Sequence, residues 1–574
     1  MESAAISLRP PSVPLAVRSP YLSAWLPQGP GAMLAGTWPR FWNGSILGWA
    51  GYIRVDDTTY TFLGDPSLNP GLAIQKSVTY TSTQSTFVLT AGPVDITVRF
   101  LSPVEPDDLV KQSIPFSYMA VSVAANDGGS HSVRLYTDIC AEWASGDNTH
   151  VVTWTSSTSG DVWSHRVGPR DQVLYSEQND QAEYGSAYYA TQNSNNATGK
   201  QFINNGELAN HGDTNFRAVS GHWPVFAFAH DLGIISGASD PVIYAIGHIR
   251  DPAVQYVTAA KNLQDRNAYY WTMYSSVSDL IDDFVKSYST ALSDANVFDN
   301  KVKSDATTVS DQYYDIVALS VRQNINTVDV IMPAWPVFLY TSPTLCKYLL
   351  LGLFEYQQSG LYPNRWAAHD LGASYPSAIG HNDGNDLPMP LEECGNMIIM
   401  VLSYTQRSNG QSFALAYIQL LEQWTDCLVQ GALVPADQYS SDSATANHHL
   451  ALTYGDLESW GLMYNLYADK LLGTNVFPQS LFASQTAWYR NVINEYGAPL
   501  DSRSTYTKSD WLMWTAAFVT ENAVRDAMIN AVHPYISDGQ NDMPFGDWYD
   551  THSGDSIDFR GRPVVGGHLA LLVL

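Results

Sequence analysis

The stretch SSVSDLIDDFVKSYSTALSDANVF, Ser275 to Phe298, is where the hydrophobic period of the chain changes. Within it Leu280, Ile281, Phe284, Val285, Tyr288 and Leu292 recur at helical steps and share one stripe. Upstream the period is two. VDITVRFL alternates at Val94, Ile96, Val98 and Phe100, one buried face of a strand. GYIRVDDTTYTFLG sets two short runs about a turn at Asp56-Asp57, and YMAVSVAANDGGSHSVRLYTDI reads as a hairpin turning at Asn126 to Gly129. VVTWT, VFAFAHDLG and PVIYAIGHIR are further runs of this kind. Many short strands between turns predict a β-sandwich of two broad sheets over residues 1–265. Residues 266–305 read as a helical linker. Residues 306–574 carry the helical period, in YYDIVALSVRQNI, LCKYLLLGLFEYQ and SDWLMWTAAFVTENAVRDAMINAV among others, with Gly, Pro and Asn in the gaps. The expected fold class is multi-domain, β followed by α.

In the helical half the polar motifs recur at intervals of roughly 50 to 60 residues, the length of a helical hairpin with two loops. They are MPAWP at 332–336, DLPMPLEECGN at 386–396, SSDSATANHH at 440–449, RSTYTKSDW at 503–511 and GRPVVGG at 561–567. Each is read as preceding an apolar helix. Hairpins packed around a ring would gather these helix starts, with their free N–H groups, at one end of a toroid. A plain bundle with routine caps is the competing reading.

Composition excludes several partners. The 574 residues hold 56 acidic and 29 basic side chains, a net charge of -27. No Lys/Arg cluster is present, so neither nucleic acid nor an anionic membrane surface is an expected partner. No apolar run is long enough to span a membrane. The acidic balance fits tolerance of high salt as well as simple solubility. The four cysteines, Cys140, Cys346, Cys394 and Cys427, form no CxxC and read as buried free thiols rather than a zinc site or a disulfide scaffold. The Pro-rich start reads as a mature secreted N-terminus behind an added Met. The sequons at Asn43 and Asn196 fit a secreted glycoprotein.

The densest chemistry lies in LYPNRWAAHDLGASYPSAIGHNDGNDLPMPLEECGNM, Leu361 to Met397, a polar loop that runs into the apolar helix IIMVLSY. Such a loop, with Trp, Pro and Tyr in it, reads as functional rather than disordered. Pro390 suits a first helical turn, which puts Glu392 and Glu393 at a helix start where carboxylates complement the dipole. Adjacent helical residues point about 100° apart. Glu393 shares the stripe of Met397 and Met400 and is therefore the one expected to turn inward, half-buried, with a raised affinity for protons. Cys394 heads into a core helix and makes a poor nucleophile. In RSTYTKSDW, Thr507 or Ser509 is the expected N-cap and Asp510 an early helical acid, while Lys508 is available as oxyanion partner or base. GDWYDTHSGD supplies Asp547, a possible second carboxylate for Glu393. His369 either orients Asp370 or is a core histidine. HNDGND resembles part of a calcium loop but lacks the rest of its ligands, so no metal or cofactor is expected.

These segments carry a resemblance over essentially the whole chain. PLAVRSPYLSAWLP, GYIRVDDTTYTFLG, AIGHIRDPAVQY, QYYDIVALSVRQ, GLYPNRWAAHDLGASYP, DGNDLPMPLEECGNM, YTKSDWLMW and RPVVGGHLALL together are similar to the fungal glutaminase A family of secreted enzymes. The resemblance implies a β-sandwich followed by an (α/α)6-type toroid related to six-hairpin glycosidases, and hydrolysis of glutamine to glutamate and ammonia. SSDSATANHHLAL departs from the segment closer to STDDFAG…NQTNLAL expected of the family. On this reading the catalytic candidates are Glu393, Lys508 and Asp547. Arg503 and Arg562 are candidates for the substrate α-carboxylate, Asp370, Asp383, Asp386 and Asp510 for its α-ammonium, and Tyr506 for a further contact. Two alternatives stand beside it. One is a glycoside hydrolase using a carboxylate pair, with Trp366, Trp511 and Trp548 as sugar platforms. The other is a carbohydrate-binding or wall protein.

Overall fold

A computed structural model describes residues 10–29, 31–66, 70–192, 213–321, 327–372, 375–408, 410–432, 444–445, 449–453 and 456–574. The chain divides into two compact units: residues 1–251, 267–301 and 541–544, and residues 252–266, 302–540 and 545–574. No helix is long and apolar enough to cross a membrane among the described residues.

The first unit is a β-sandwich. A nine-stranded antiparallel sheet runs in the order 217–218, 151–159, 162–169, 186–192, 242–249, 116–125, 94–101, 84–91 and 74–80. A five-stranded sheet runs in the order 225–235, 131–140, 49–55, 58–63 and 71–72. Their inner faces share one core, with Phe87, Ile96, Val98, Met119 and Tyr244 from the first sheet and Trp49, Ile53, Leu135 and Phe228 from the second. The alternation at Val94, Ile96, Val98 and Phe100 is the buried face of its strand, as its period predicts.

The expected hairpin across Asn126–Gly129 does not form. Its first arm, Phe116–Ala125, pairs with 94–101 and 242–249, and its second, His131–Cys140, pairs with 49–55 and 225–235 in the opposite sheet. The first arm is apolar on both faces, since Tyr118 and Ala120 join a second core on the outer side of its sheet. A strand covered on both faces belongs at a sheet centre with two partners of its own. That second core is closed by α1 (Val277–Lys286) and the start of α2 (Tyr288–Thr307). Leu280, Ile281, Phe284, Val285 and Tyr288 are its buried stripe, and the chain breaks between the helices at Ser287.

The second unit is built of helical hairpins. Its helices are α3 (Asp311–Ser320), α4 (Val328–Thr341), α5 (Pro343–Gln358), α6 (Pro390–Ser408), α7 (Gln411–Ala416), α8 (Ile418–Gly431), α9 (Leu466–Leu472), α10 (Gln479–Tyr489), α11 (Ser509–Phe518), α12 (Asn522–Tyr535) and a C-terminal 3₁₀ helix, Pro563–Val573. α4 packs on α6, α6 on α9, α9 on α11, α11 on the C-terminal helix, and that helix on α4, so the packing closes a ring. Contacts at both ends show these helices running the same way. At the starts, Val328 N–H at the head of α4 donates to His369 O (3.0 Å), whose side chain bonds Glu393 of α6. At the ends, Arg407 in the last turn of α6 donates to Val573 O of the C-terminal helix. MPAWP proves to lie inside α4, with Pro333 and Pro336 both within the helix, rather than ahead of it. SSDSATANHH lies almost wholly outside the described residues.

Candidate active site

Two clusters of ionisable side chains form where the ring helices begin. The first belongs to α6 and to the polar loop before it. Glu393, Met397 and Met400 share the buried face of α6, and Glu392 does not. Glu393 is not half-buried, as its place at a helix start predicts, but sealed, with 1% of its side chain exposed. Its Oε1 lies 2.6 Å from His369 Nδ1, and its Oε2 accepts a long bond (3.5 Å) from Asn396. Burial lifts the Glu393 carboxyl to about 8, with His369 pulling the other way. Burial works against a charged imidazole at His369, but the hydrogen bond to Glu393 and its charge, with Asp329 and Asp370 behind, lift it to about 9. The pair therefore keeps a shared proton through neutral pH. Nε2 of His369, on the opposite ring edge, faces Asp329 at the start of α4 (3.9 Å).

The loop fixes this ring through its other acids. Asp386 accepts from His369 N–H (3.0 Å) and from the Tyr362 hydroxyl (2.8 Å). Asp370 accepts from Gly372 N–H (2.7 Å) and bonds the His381 ring. Asp383 is spent on its own turn, accepting from Asn385 N–H (3.1 Å) and Nδ2 (2.9 Å), and the backbone bond holds its carboxyl below the usual range. Ala367 N–H points at Cys394 Sγ (3.3 Å), and burial pushes that thiol far up, which removes it as a nucleophile.

The second cluster is made by a ladder between RSTYTKSDW and GDWYD, two motifs the sequence treats as unrelated. Tyr506–Lys508 pairs antiparallel with Trp548–Asp550, and Ser509 N–H donates to Asp547 O (2.8 Å). This sets Lys508 Nζ 3.2 Å from Asp547 Oδ2, while Arg562, from the head of the C-terminal helix, puts Nη1 3.5 Å from the same oxygen. Asp547 is fully buried; Lys508 and Arg562 are each about one-fifth exposed (20% and 19%). Asp510 is fully buried in the first turn of α11, and burial first, then the charge of Asp547, raise its carboxyl to about 7 against the pull of Lys508 and Arg562. Neither of its oxygens has a hydrogen-bond partner among the described residues, nor has Asp547 Oδ1.

Neither expected N-cap operates here. Lys508 holds the cap position, and the Thr507 and Ser509 hydroxyls are buried without partners among the described residues, as are Trp514 Nε1 and Trp548 Nε1. An unsatisfied buried polar group costs about 1–3 kcal/mol, so the fold carries a local cost at this cluster. Arg503 lies beside the ladder in a two-pronged bond to Asp501 (3.0 and 2.6 Å). Tyr506 sets its ring edge-on to Trp548, 5.1 Å away.

The clusters share one end of the ring. A Cβ on Gly567 would lie 2.5 Å from Pro333 O of α4, 3.0 Å from Trp514 Nε1 and 3.2 Å from Asp510 Cβ of α11. So the first halves of α4, α11 and the C-terminal helix meet at Gly567, while the head of α4 meets α6 through His369 and Glu393. The carboxylate beside Asp547 is Asp510, and Glu393 is bonded to His369 instead. Sequence reasoning passed over Asp329 and His381, and read His369 as orienting Asp370 or as a core histidine; its ring bonds Glu393, and it is His381 that bonds Asp370. In the other unit, Asn43 Nδ2 donates to Asn179 O (2.9 Å); Asn196 lies outside the described residues.

Comparison with known proteins adds a family. A model described as the glutaminase A six helical-hairpin domain matches residues 300–448 and 443–572, and a domain of unknown function (DUF5127) matches 83–305. Glutaminase A of Aspergillus oryzae is 38% identical over 666 residues, covering 99% of this chain and 96% of that protein. The "Probable glutaminase" of Arthroderma benhamiae is 28% identical, over 99% of this chain and 88% of that one. A glycoside hydrolase family 81 enzyme of Clostridium thermocellum overlays with a TM-score of 0.11 at 8% identity, covering 93% of this chain and 71% of its own, too distant to bear on the fold.

Proposed function

Because the chain belongs to the glutaminase A family, we propose that it hydrolyses the side-chain amide of L-glutamine to L-glutamate and ammonia, at the end of the ring where its helices begin. The observation that carries the reading is that the relationship to Glutaminase A runs the length of the chain and so spans both clusters. The geometry supplies what the reaction needs. His369, with Nδ1 tied to Glu393 and its charge held past neutral pH, has the arrangement of a general acid that gives a proton to the leaving ammonia and takes one back from water. Glu393 is sealed from solvent, so it acts through His369, orienting the ring and holding its charge. Lys508 and Arg562, braced from behind by Asp547, present positive charge to a small anionic or polarised group.

The finer parts of the reading are secretion, glycosylation at Asn43 and Asn196, and activity at high salt. The two sequons and the net charge of -27 support them. The deciding assay measures ammonia from L-glutamine beside reducing sugar from oligosaccharides. Ammonia alone is the expected result; sugar release without ammonia would overturn the reading.

A further inference from the structure

Resting on the glutaminase reading, the geometry points to Lys508 and Arg562 as the grip on the substrate's α-carboxylate, and to Asp510 as the positioning residue beneath them that sets how tightly they hold it. Two cations converge on a single oxygen of Asp547 and keep part of their surface outward, while the carboxylate that aligns them is sealed behind. That arrangement suits a carboxylate ligand arriving from the exposed side. Arg503, the other candidate for this task, is already engaged at both prongs by Asp501.

Asp510 cannot touch the ligand, because none of its surface is exposed. It acts through charge. Its neighbours across α11 and the ladder are Lys508, Asp547 and Arg562, and the Tyr549 hydroxyl faces it from the ladder. The elements packed on α11 add Tyr467 from α9, Tyr535 from α12 and His568 from the C-terminal helix, all kept neutral by burial. Within this cluster, the carboxyl that burial brings toward neutrality is that of Asp510. Protonated, it leaves the attraction of Lys508 and Arg562 for an anion intact. Ionised, it adds one buried negative charge beneath them and weakens that attraction, whatever else each cation contacts. The proton lost goes to solvent, and no covalent step is involved.

The experiment measures kcat and KM for L-glutamine and for its α-methyl ester between pH 6 and pH 8.5, in the wild type, Asp510→Asn and Lys508→Met, with calorimetric binding of L-glutamate over the same range. The wild-type KM for glutamine should rise by about tenfold across this range, and glutamate binding should weaken in step. Asp510→Asn should keep a low, flat KM. The methyl ester should bind poorly at every pH, and Lys508→Met should erase the difference between acid and ester. Retention of the wild-type KM profile in Asp510→Asn, or equal profiles for acid and ester, would overturn the inference. Absence of wild-type turnover would instead sink the glutaminase reading, while glutamate binding would still report on the site.

Discussion

Glu393 and Glu392 are neighbours in sequence with opposite fates, and the difference is testable. Glu393→Gln keeps the shape of the side chain but cannot hold an imidazolium at His369, so kcat should fall by about 10²–10⁴-fold, the usual worth of acid–base catalysis. Glu392→Gln removes a helix-start charge outside the buried face and should stay within a few-fold. Steady-state kinetics with a thermal melt for each variant checks this. Equal losses in the two would show that the His369–Glu393 bond is not used in the reaction. The adjacent residue gives a control of the opposite kind. Cys394 is fully buried and its thiol is held protonated. Cys394→Ala should keep most of the activity, and a thiol reagent should not inactivate the native enzyme; rapid inactivation with one Cys394 adduct by mass spectrometry would reverse that conclusion.

At the level of elements, the ring depends on small residues where its helices touch. Gly566 and Gly567 of the GRPVVGG motif sit against α4, where an added Cβ would meet Val337 Cγ1 at 2.7 Å and Pro333 O at 2.5 Å respectively. A carbonyl oxygen cannot swing away as a side-chain tip can. Gly567→Ala should therefore cost about 1–3 kcal/mol and shift the head of α11 with Asp510, so the melting temperature and activity should fall together. An unchanged melt would mean that α4 yields more easily than the geometry implies. These contacts also show what could be read in advance. Period gave the two-sheet sandwich, the stripe of α1 and α2, and the inward face of α6, because each reflects one element against one core. The single hairpin expected at Asn126–Gly129 failed because a turn signal does not say in which sheet each arm finds its partner. MPAWP reads as a motif ahead of an apolar helix; it lies inside one because packing on α6 and the C-terminal helix overrides the local cost of Pro333 and Pro336, which lack an N–H. The pairing of Tyr506–Lys508 with Trp548–Asp550 had no signature, since three-residue strands far apart in sequence carry no periodicity. Most members of the two candidate clusters could thus be named from sequence, while their grouping could not.

For the molecule as a whole, buried acids decide how stability responds to pH. Asp510 in the helical unit, which is sealed, and Asp138 in the sandwich, which is half-buried, are carboxyls whose proton affinity burial raises to about 7, and the proton that Glu393 shares with His369 is held in the same sense. Each binds its proton more tightly folded than unfolded. The stability it contributes is complete below its unfolded value, near 4, and is lost as pH rises through its folded value. Carboxyls held below the usual range, among them Asp95 in the sandwich and Asp469 in α9, act oppositely: their contribution is present above about 4 and fails in stronger acid. The two sets leave a maximum on the acid side of neutrality. A net charge of -27 deepens the alkaline loss by self-repulsion, a term that salt screens. The apparent melting temperature should therefore be higher at pH 5 than at pH 8.5. Molar salt should recover part of the difference, the part due to surface charge, and leave the part due to the sealed acids. Asp510→Asn, neutral at every pH, should shrink the salt-resistant part by on the order of a few kcal/mol. Scanning calorimetry of the wild type and this variant at both pH values, with and without salt, separates the terms. A melting temperature that rises toward pH 8.5 would mean that these carboxyls are not held protonated in the folded chain.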